Sequence, residues 1–167
     1  MLIFKKLSKA QVDIIIPDLD VGSGGGIFTP SPRGRVNIDI DLPKIKVPNF
    51  IRASVFYLPF RASEFHWVSA FTMLEHVSNP YAAIFEMLRV GNQLVIRQDA
   101  IYSIRNYAMF KHLQFQLGHR FLQYPRTWLG IRFSRLLFLL CSKPQLQRLI
   151  NLTFRWNYYE VISSNNQ

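Results

Sequence analysis

Cysteine is nearly absent. The single Cys141 among 167 residues excludes an internal disulfide framework and a cysteine-based zinc cluster. Its neighbours Leu139 and Leu140 mark it as a small buried hydrophobe rather than a nucleophile. Charge is scarce as well. Charged residues make up 18% of the chain and hydrophobic ones 49%, against roughly 25% charged in a typical soluble domain. Such a composition excludes disorder as the dominant state. Long apolar runs are missing. Residues 14–16 and 136–141 fall far short of the roughly 20 needed to span a bilayer. The first six residues lack the apolar stretch of a signal peptide, and charges already stand at Lys5, Lys6 and Lys9. A cytoplasmic protein is therefore the expectation.

Acidic groups are the rarer charge, 10 against 20 basic, which leaves a net +10. That excess is unevenly placed. Residues 1–88 are close to neutral, with 9 basic and 8 acidic side chains; residues 89–167 carry 11 basic and 2 acidic. The length fits one domain on a prior of roughly 100–200 residues. The reading is therefore a single domain over 1–167. It has a core at 12–99, a basic segment at 100–152 and a closing strand at 154–162.

The core reads as alternating short strands and connections. Residues 18–21 form a buried strand that runs into a glycine cluster. Residues 35–40 alternate polar and apolar; 50–55, 66–71 and 92–97 are further strands. Residues 80–90 are a helix that begins on Pro80, a residue suited to a first turn. Pro30 and Pro32 shorten or remove the helix expected after the glycines. The pattern predicts an α/β fold, a Rossmann-like, mostly parallel sheet flanked by helices. Beyond 100, aromatic and basic residues interleave. Helices are expected over 103–117, 126–141 and 145–152, forming a helical lid. Residues 156–162 have strand composition and suit a final antiparallel strand.

The glycine cluster, Gly22-Ser23-Gly24-Gly25-Gly26, is spaced G-x-G-x-G, with Asp20 two residues ahead. A dinucleotide fingerprint wants a third glycine where Ile27 stands, and no Gly-Lys-Ser/Thr follows for a phosphate loop. Three further blocks follow in order: Val36-Asn-Ile-Asp-Ile-Asp41, Ala53-Ser-Val-Phe-Tyr-Leu-Pro-Phe60 and Met73-Leu-Glu-His-Val-Ser-Asn-Pro80. With these blocks the sequence resembles the class I S-adenosylmethionine-dependent methyltransferases, in particular small members of the type 11-like group. The resemblance covers about residues 12–99.

The resemblance implies a transferase that moves a methyl group from S-adenosylmethionine to an acceptor. It implies that Asp20 fixes the glycine loop and the cofactor amino group, and that Gly22, Ser23, Gly24 and Gly26 line the cofactor. It gives Asp39 the ribose diol, whose two donors suit one carboxylate. Ser54 and Val55 fall beside the adenine, and Phe71 closes over the cofactor. Ser54 stands where the family often has an aspartate, and His66 stands where an aspartate usually follows the phenylalanine. His76 is the candidate for contact with the acceptor. Glu75 and His76 could instead cap the next helix.

Other features carry less. Asn79-Pro80-Tyr81 resembles the motif of amino-methylating nucleic-acid enzymes but lies too far beyond the fourth strand. His112 and His119 have no third ligand, so no metal is expected. The acceptor is a small molecule, a lipid-like group or RNA, and the basic second half suits an anionic surface partner. The alternative reading is a non-catalytic nucleic-acid-binding or membrane-surface protein on a degenerate methyltransferase fold. In that case the 128–140 segment would lie on lipid at the periphery of a membrane.

Overall fold

A computed structural model describes residues 2–13, 15–24, 34–99, 114–117, 120–123 and 157–164. Its backbone divides into two compact units. The first comprises residues 1–74, 79–97 and 159–167; the second comprises 75–78 and 98–158.

The first unit is built on one seven-stranded sheet. Its strands are β1 (Leu2–Lys6), β2 (Leu19–Val21), β3 (Val36–Asp39), β4 (Phe50–Arg52), β5 (Phe65–Phe71), β6 (Gly91–Asp99) and β9 (Asn157–Ser164). Their spatial order is β1-β9-β6-β5-β2-β3-β4. Strands β4, β3, β2, β5 and β6 run parallel, each to its neighbour. β1 and β9 pair antiparallel, Leu2 opposite Ser164 and Lys6 opposite Glu160. The closing strand is therefore present, and its partner is the chain's own beginning.

The short strands differ in burial, and β4 is largely exposed. Leu19-Asp20-Val21 is wholly buried, and a buried parallel strand needs no alternation. Helix α1 (Lys9–Asp13) covers one side of the sheet. Its Val12 packs with Phe71, Val95 and Val161, and Leu7, Ile15 and Trp67 close the cluster.

Helix α2 (Pro80–Val90) connects β5 to β6 over the predicted residues. Pro80 takes the first turn, where a missing N–H costs nothing. The Asn79 side chain accepts from the Ala82 N–H at 3.1 Å, so the cap is Asn79 and not Glu75 or His76. Ala83, Ile84, Met87 and Val90 form its buried stripe. Gly91 follows because a Cβ there would lie 2.2 Å from Val68 Cγ2. The helix also clamps the Leu58-Pro-Phe60 segment. Glu86 Oε1 accepts from the Leu58 N–H at 2.8 Å, while Arg89 donates to the carbonyls of Leu58 and Phe60 at 3.0 and 2.9 Å. Arg89 also holds both oxygens of Glu86 at 2.8 Å.

In the second unit, β7 (Gln114–Leu117) and β8 (Arg120–Gln123) form an antiparallel pair, with Phe115 opposite Leu122. This corrects the expected helix over 103–117 at its end. The residues alternate, Gln-Phe-Gln-Leu, as a strand does, and Gly118 breaks any helix that would run on. Residues 25–33, where a shortened first helix was expected, lie outside the described residues. So do most of the expected lid helices, over 103–113, 126–141 and 145–152, together with His112, His119 and Cys141. Among the described residues no helix is long and apolar enough to cross a membrane.

Candidate active site

Strand order reverses between β2 and β5: from β2 the chain steps outward to β3 and β4, and from β5 to β6. Open α/β sheets bind ligands at this point, beyond the carboxyl ends of the strands. The residues at those ends are Gly22-Ser23-Gly24 after β2, Asp39 as the last residue of β3 and Thr72-Met73 after β5.

The glycine loop is built by backbone. The N–H groups of Gly22 and Ser23 both donate to the Ile38 carbonyl, at 2.8 and 2.9 Å. Gly22 and Gly24 adopt φ of +75° and +68°, a region that glycine enters without steric cost. Space is as restrictive as conformation at Gly22, where a Cβ would lie 2.3 Å from Met73 Cγ. The loop after β2 thus rests directly on the residue after β5. That contact is a nonlocal packing fact, and nothing in the spacing of the motif marks Met73.

Asp39 ties two turns together. Its Oδ2 accepts from the Gly24 N–H at 2.8 Å and its Oδ1 from the Asp41 N–H at 3.0 Å. A carboxylate offers about four acceptor positions, so two such bonds leave room for two more donors. Ala53, just past β4, donates its N–H to the Asp39 carbonyl at 3.1 Å. Ser54 and Val55 are therefore held close to Asp39 in the chain fold. Ser54 Oγ accepts from the Phe56 N–H at 3.3 Å, and Val55 is buried.

Asp20 sits beneath the loop. It is buried, and its Oδ1 accepts the hydroxyl hydrogen bond of Ser69 on β5. Gly34 packs over it, with a hypothetical Cβ 2.6 Å from the Asp20 amide nitrogen. Phe71 is buried in the cluster with Val12, Val95 and Val161, and the Arg97 guanidinium lies 6.0 Å from its ring centroid. These contacts hold Phe71 at the carboxyl end of β5. Gly26 lies outside the described residues. His76 is exposed and Glu75 buried on a 3-10 turn at Leu74–His76.

Two features were not visible in the motifs. Thr72 has φ of +50°, uncommon for a β-branched residue, and its N–H donates to the Arg97 carbonyl at 2.7 Å. Strained backbone of this kind gathers at ligand sites. Ser23 Oγ is buried with no hydrogen-bond partner among the described residues, although it lies between the two left-handed glycines. A cradle with close backbone approach, an unsatisfied buried hydroxyl and a half-satisfied carboxylate fits a polar cofactor with an amino acid end and a ribose. Among the described residues no cluster of His, Cys, Asp or Glu could hold a metal ion.

Residues 19–93 match a family model described as a methyltransferase domain. A search of curated proteins gave no match. Among solved structures, the chain is similar to one from the Haloferax volcanii complex that contains the Trm112 methyltransferase activator. The TM-score is 0.52 at 11% identity, over 89% of this chain and 82% of that one. YcgJ protein from Bacillus subtilis gives 0.49 at 12% identity, over 89% and 92%. The plantazolicin methyltransferase BpumL, solved with S-adenosylhomocysteine (SAH) and a desmethylPZN analog, gives 0.49 at 15% identity, over 93% and 79%. The Haloferax likeness establishes a shared fold. The family match covers residues 19–93, a little under half of the chain, and lies within that shared fold.

Proposed function

We propose that this protein transfers a methyl group from S-adenosylmethionine to an acceptor that is anionic or attached to an anionic surface. The observation that carries the reading is the Asp39–Gly24 hydrogen bond, which joins the ends of β2 and β3 beside the point where strand order reverses. Gly22, Ser23 and Gly24 hold the amino acid end of the cofactor, with Gly26 as a further lining residue and Asp20 supporting the loop from below. Asp39 receives the ribose hydroxyls. Ser54 and Val55 flank the adenine.

When bound, the cofactor supplies a methyl group already activated by its sulfonium. Positioning of the acceptor then does most of the work, and a strong general base is needed only if the acceptor must lose a proton. This is consistent with a site made of backbone groups and one carboxylate. His76 is the proposed acceptor contact. Basic residues after position 97, with only Asp99 and Glu160 opposing them, favour an anionic acceptor or surface.

Titration calorimetry with S-adenosylmethionine and with its demethylated product tests the reading. Binding of both is expected. No binding of either at millimolar concentration overturns it.

A further inference from the structure

The connection from β3 to β4 is unusual. Parallel neighbours need a crossover, usually a helix whose apolar stripe packs on the sheet. Here residues 40–49 cross without one. The base of this crossover is firmly held. Arg52 Nε donates to the Ile40 carbonyl at 2.9 Å and Asn37 Nδ2 to the Pro48 carbonyl at 2.8 Å. The Asn49 side chain donates to the Arg35 carbonyl at 2.9 Å, and Val47 is buried.

Between these anchors the aliphatic side chains face solvent. Ile40, Leu42 and Ile45 are 61%, 67% and 57% exposed. Lys44 and Lys46 are exposed on either side of Ile45, and Arg35 and Arg52 are exposed at the base. An aliphatic tip flanked by lysines is not the composition of a protein interface, where aromatics, Met and Arg are enriched and Lys is depleted. It suits the edge of a lipid bilayer, where branched side chains enter the acyl boundary and lysines reach anionic headgroups. The net charge of +10 attracts the chain to the same surface.

We infer that the crossover at residues 40–49 is a membrane-surface anchor that inserts Leu42 and Ile45 into an anionic bilayer while Lys44 and Lys46 bind its headgroups. The inference stands apart from methyl transfer and does not need it. Ile40 adjoins Asp39 and is left out of the test.

The full chain is sedimented with phosphatidylcholine vesicles and with vesicles in which roughly a third of the lipid is phosphatidylserine. Binding to the anionic vesicles alone is expected. Leu42→Asp with Ile45→Asp should weaken it roughly ten-fold or more, and Lys44→Gln with Lys46→Gln roughly five-fold per charge. Both variants alter exposed side chains, so thermal unfolding and calorimetric cofactor affinity should be unchanged. No binding by the native chain overturns the inference. Undiminished binding by the Leu42→Asp, Ile45→Asp variant also overturns it, since the basic second half would then carry the attraction. A dimer lost in that variant, with no vesicle binding, assigns the patch to a second copy and overturns it as well.

Discussion

The loops leaving β2 and β3 start side by side and are held in opposite ways. The start of the glycine loop, Gly22-Ser23-Gly24, is held by its backbone N–H groups on the Ile38 carbonyl and the Asp39 carboxylate, and its Ser23 is buried. The crossover after β3 is pinned at its base, buries Val47 and presents Ile40, Leu42, Lys44, Ile45 and Lys46 outward. The difference separates two tasks. A loop that must fit a small molecule displays backbone and tolerates almost no side chain. A loop on which little packs can carry side chains chosen for something outside the protein.

The sharpest way to break the comparison is at Gly22. Gly22→Ala demands a left-handed alanine and places its Cβ against Met73. Conformation and crowding together should cost about 2–4 kcal/mol of stability in denaturant unfolding and should eliminate cofactor binding. Met73→Ala in the same chain removes the Cγ clash but leaves the Cβ of residue 73 at 2.7 Å, so it should recover only a small part of the stability. A fully stable Gly22→Ala variant would show that the loop is not held as described.

Asp39→Ala comes next. It removes a charged acceptor from Gly24, Asp41 and the proposed ribose contact. Calorimetry should show a cofactor affinity about 10–100-fold weaker. Unchanged affinity would refute the ribose assignment. In contrast, Asp41→Ala should change affinity little, because Asp41 meets Asp39 only through its backbone N–H.

A smaller effect is expected at Thr72. Thr72→Gly relieves the positive φ but also loses the hydroxyl bond to the Phe71 carbonyl at 2.8 Å. The net gain should be within about 1 kcal/mol in thermal unfolding. A destabilised Thr72→Gly variant would mean that the hydroxyl outweighs the strain.

The smallest effect concerns the clamp on Leu58 and Phe60. The side-chain hydrogen bond from Arg89, helped by the Leu58 N–H, holds the Glu86 carboxyl below its ordinary 4.5. A lowered folded-state value means that its contribution is complete above the unfolded value. The contribution is lost as pH falls through the folded one. Glu86→Gln should therefore be slightly less stable than the native chain at pH 7, by under about 1 kcal/mol, and the gap should close below pH 4.5. A gap that persists in acid would assign the clamp to packing alone.

Local signals carried much of the first unit. The buried run at 18–21 and the alternation at 35–40 announced the strands at 19–21 and 36–39, and Pro80 to Val90 announced a helix with its correct ends. The glycine spacing with Asp20 and Asp39 pointed to the cofactor end of the sheet. Residues 2–6 were read only as unlike a signal peptide. They become a strand because β9 pairs with them from the far end of the chain, a partner no local pattern can name. The family resemblance put Phe71 beside the cofactor, and the fold adds its packing against Val12, Val95 and Val161, which no local pattern names.

The sequence by itself determined where the backbone must turn and where short strands and their terminal carboxylates fall. Strand periodicity, glycines where the backbone must turn left, and carboxylates at strand ends are local properties of residue types. Only the tertiary structure decided what those residues touch. Met73 meets Gly22, Asp39 meets Gly24 and Arg89 meets the Leu58 and Phe60 carbonyls across separations of 51, 15 and about 30 residues. It also decided that the crossover after β3 would bury Val47 and leave Leu42 and Ile45 in solvent. Burial depends on which surfaces the rest of the fold has already covered.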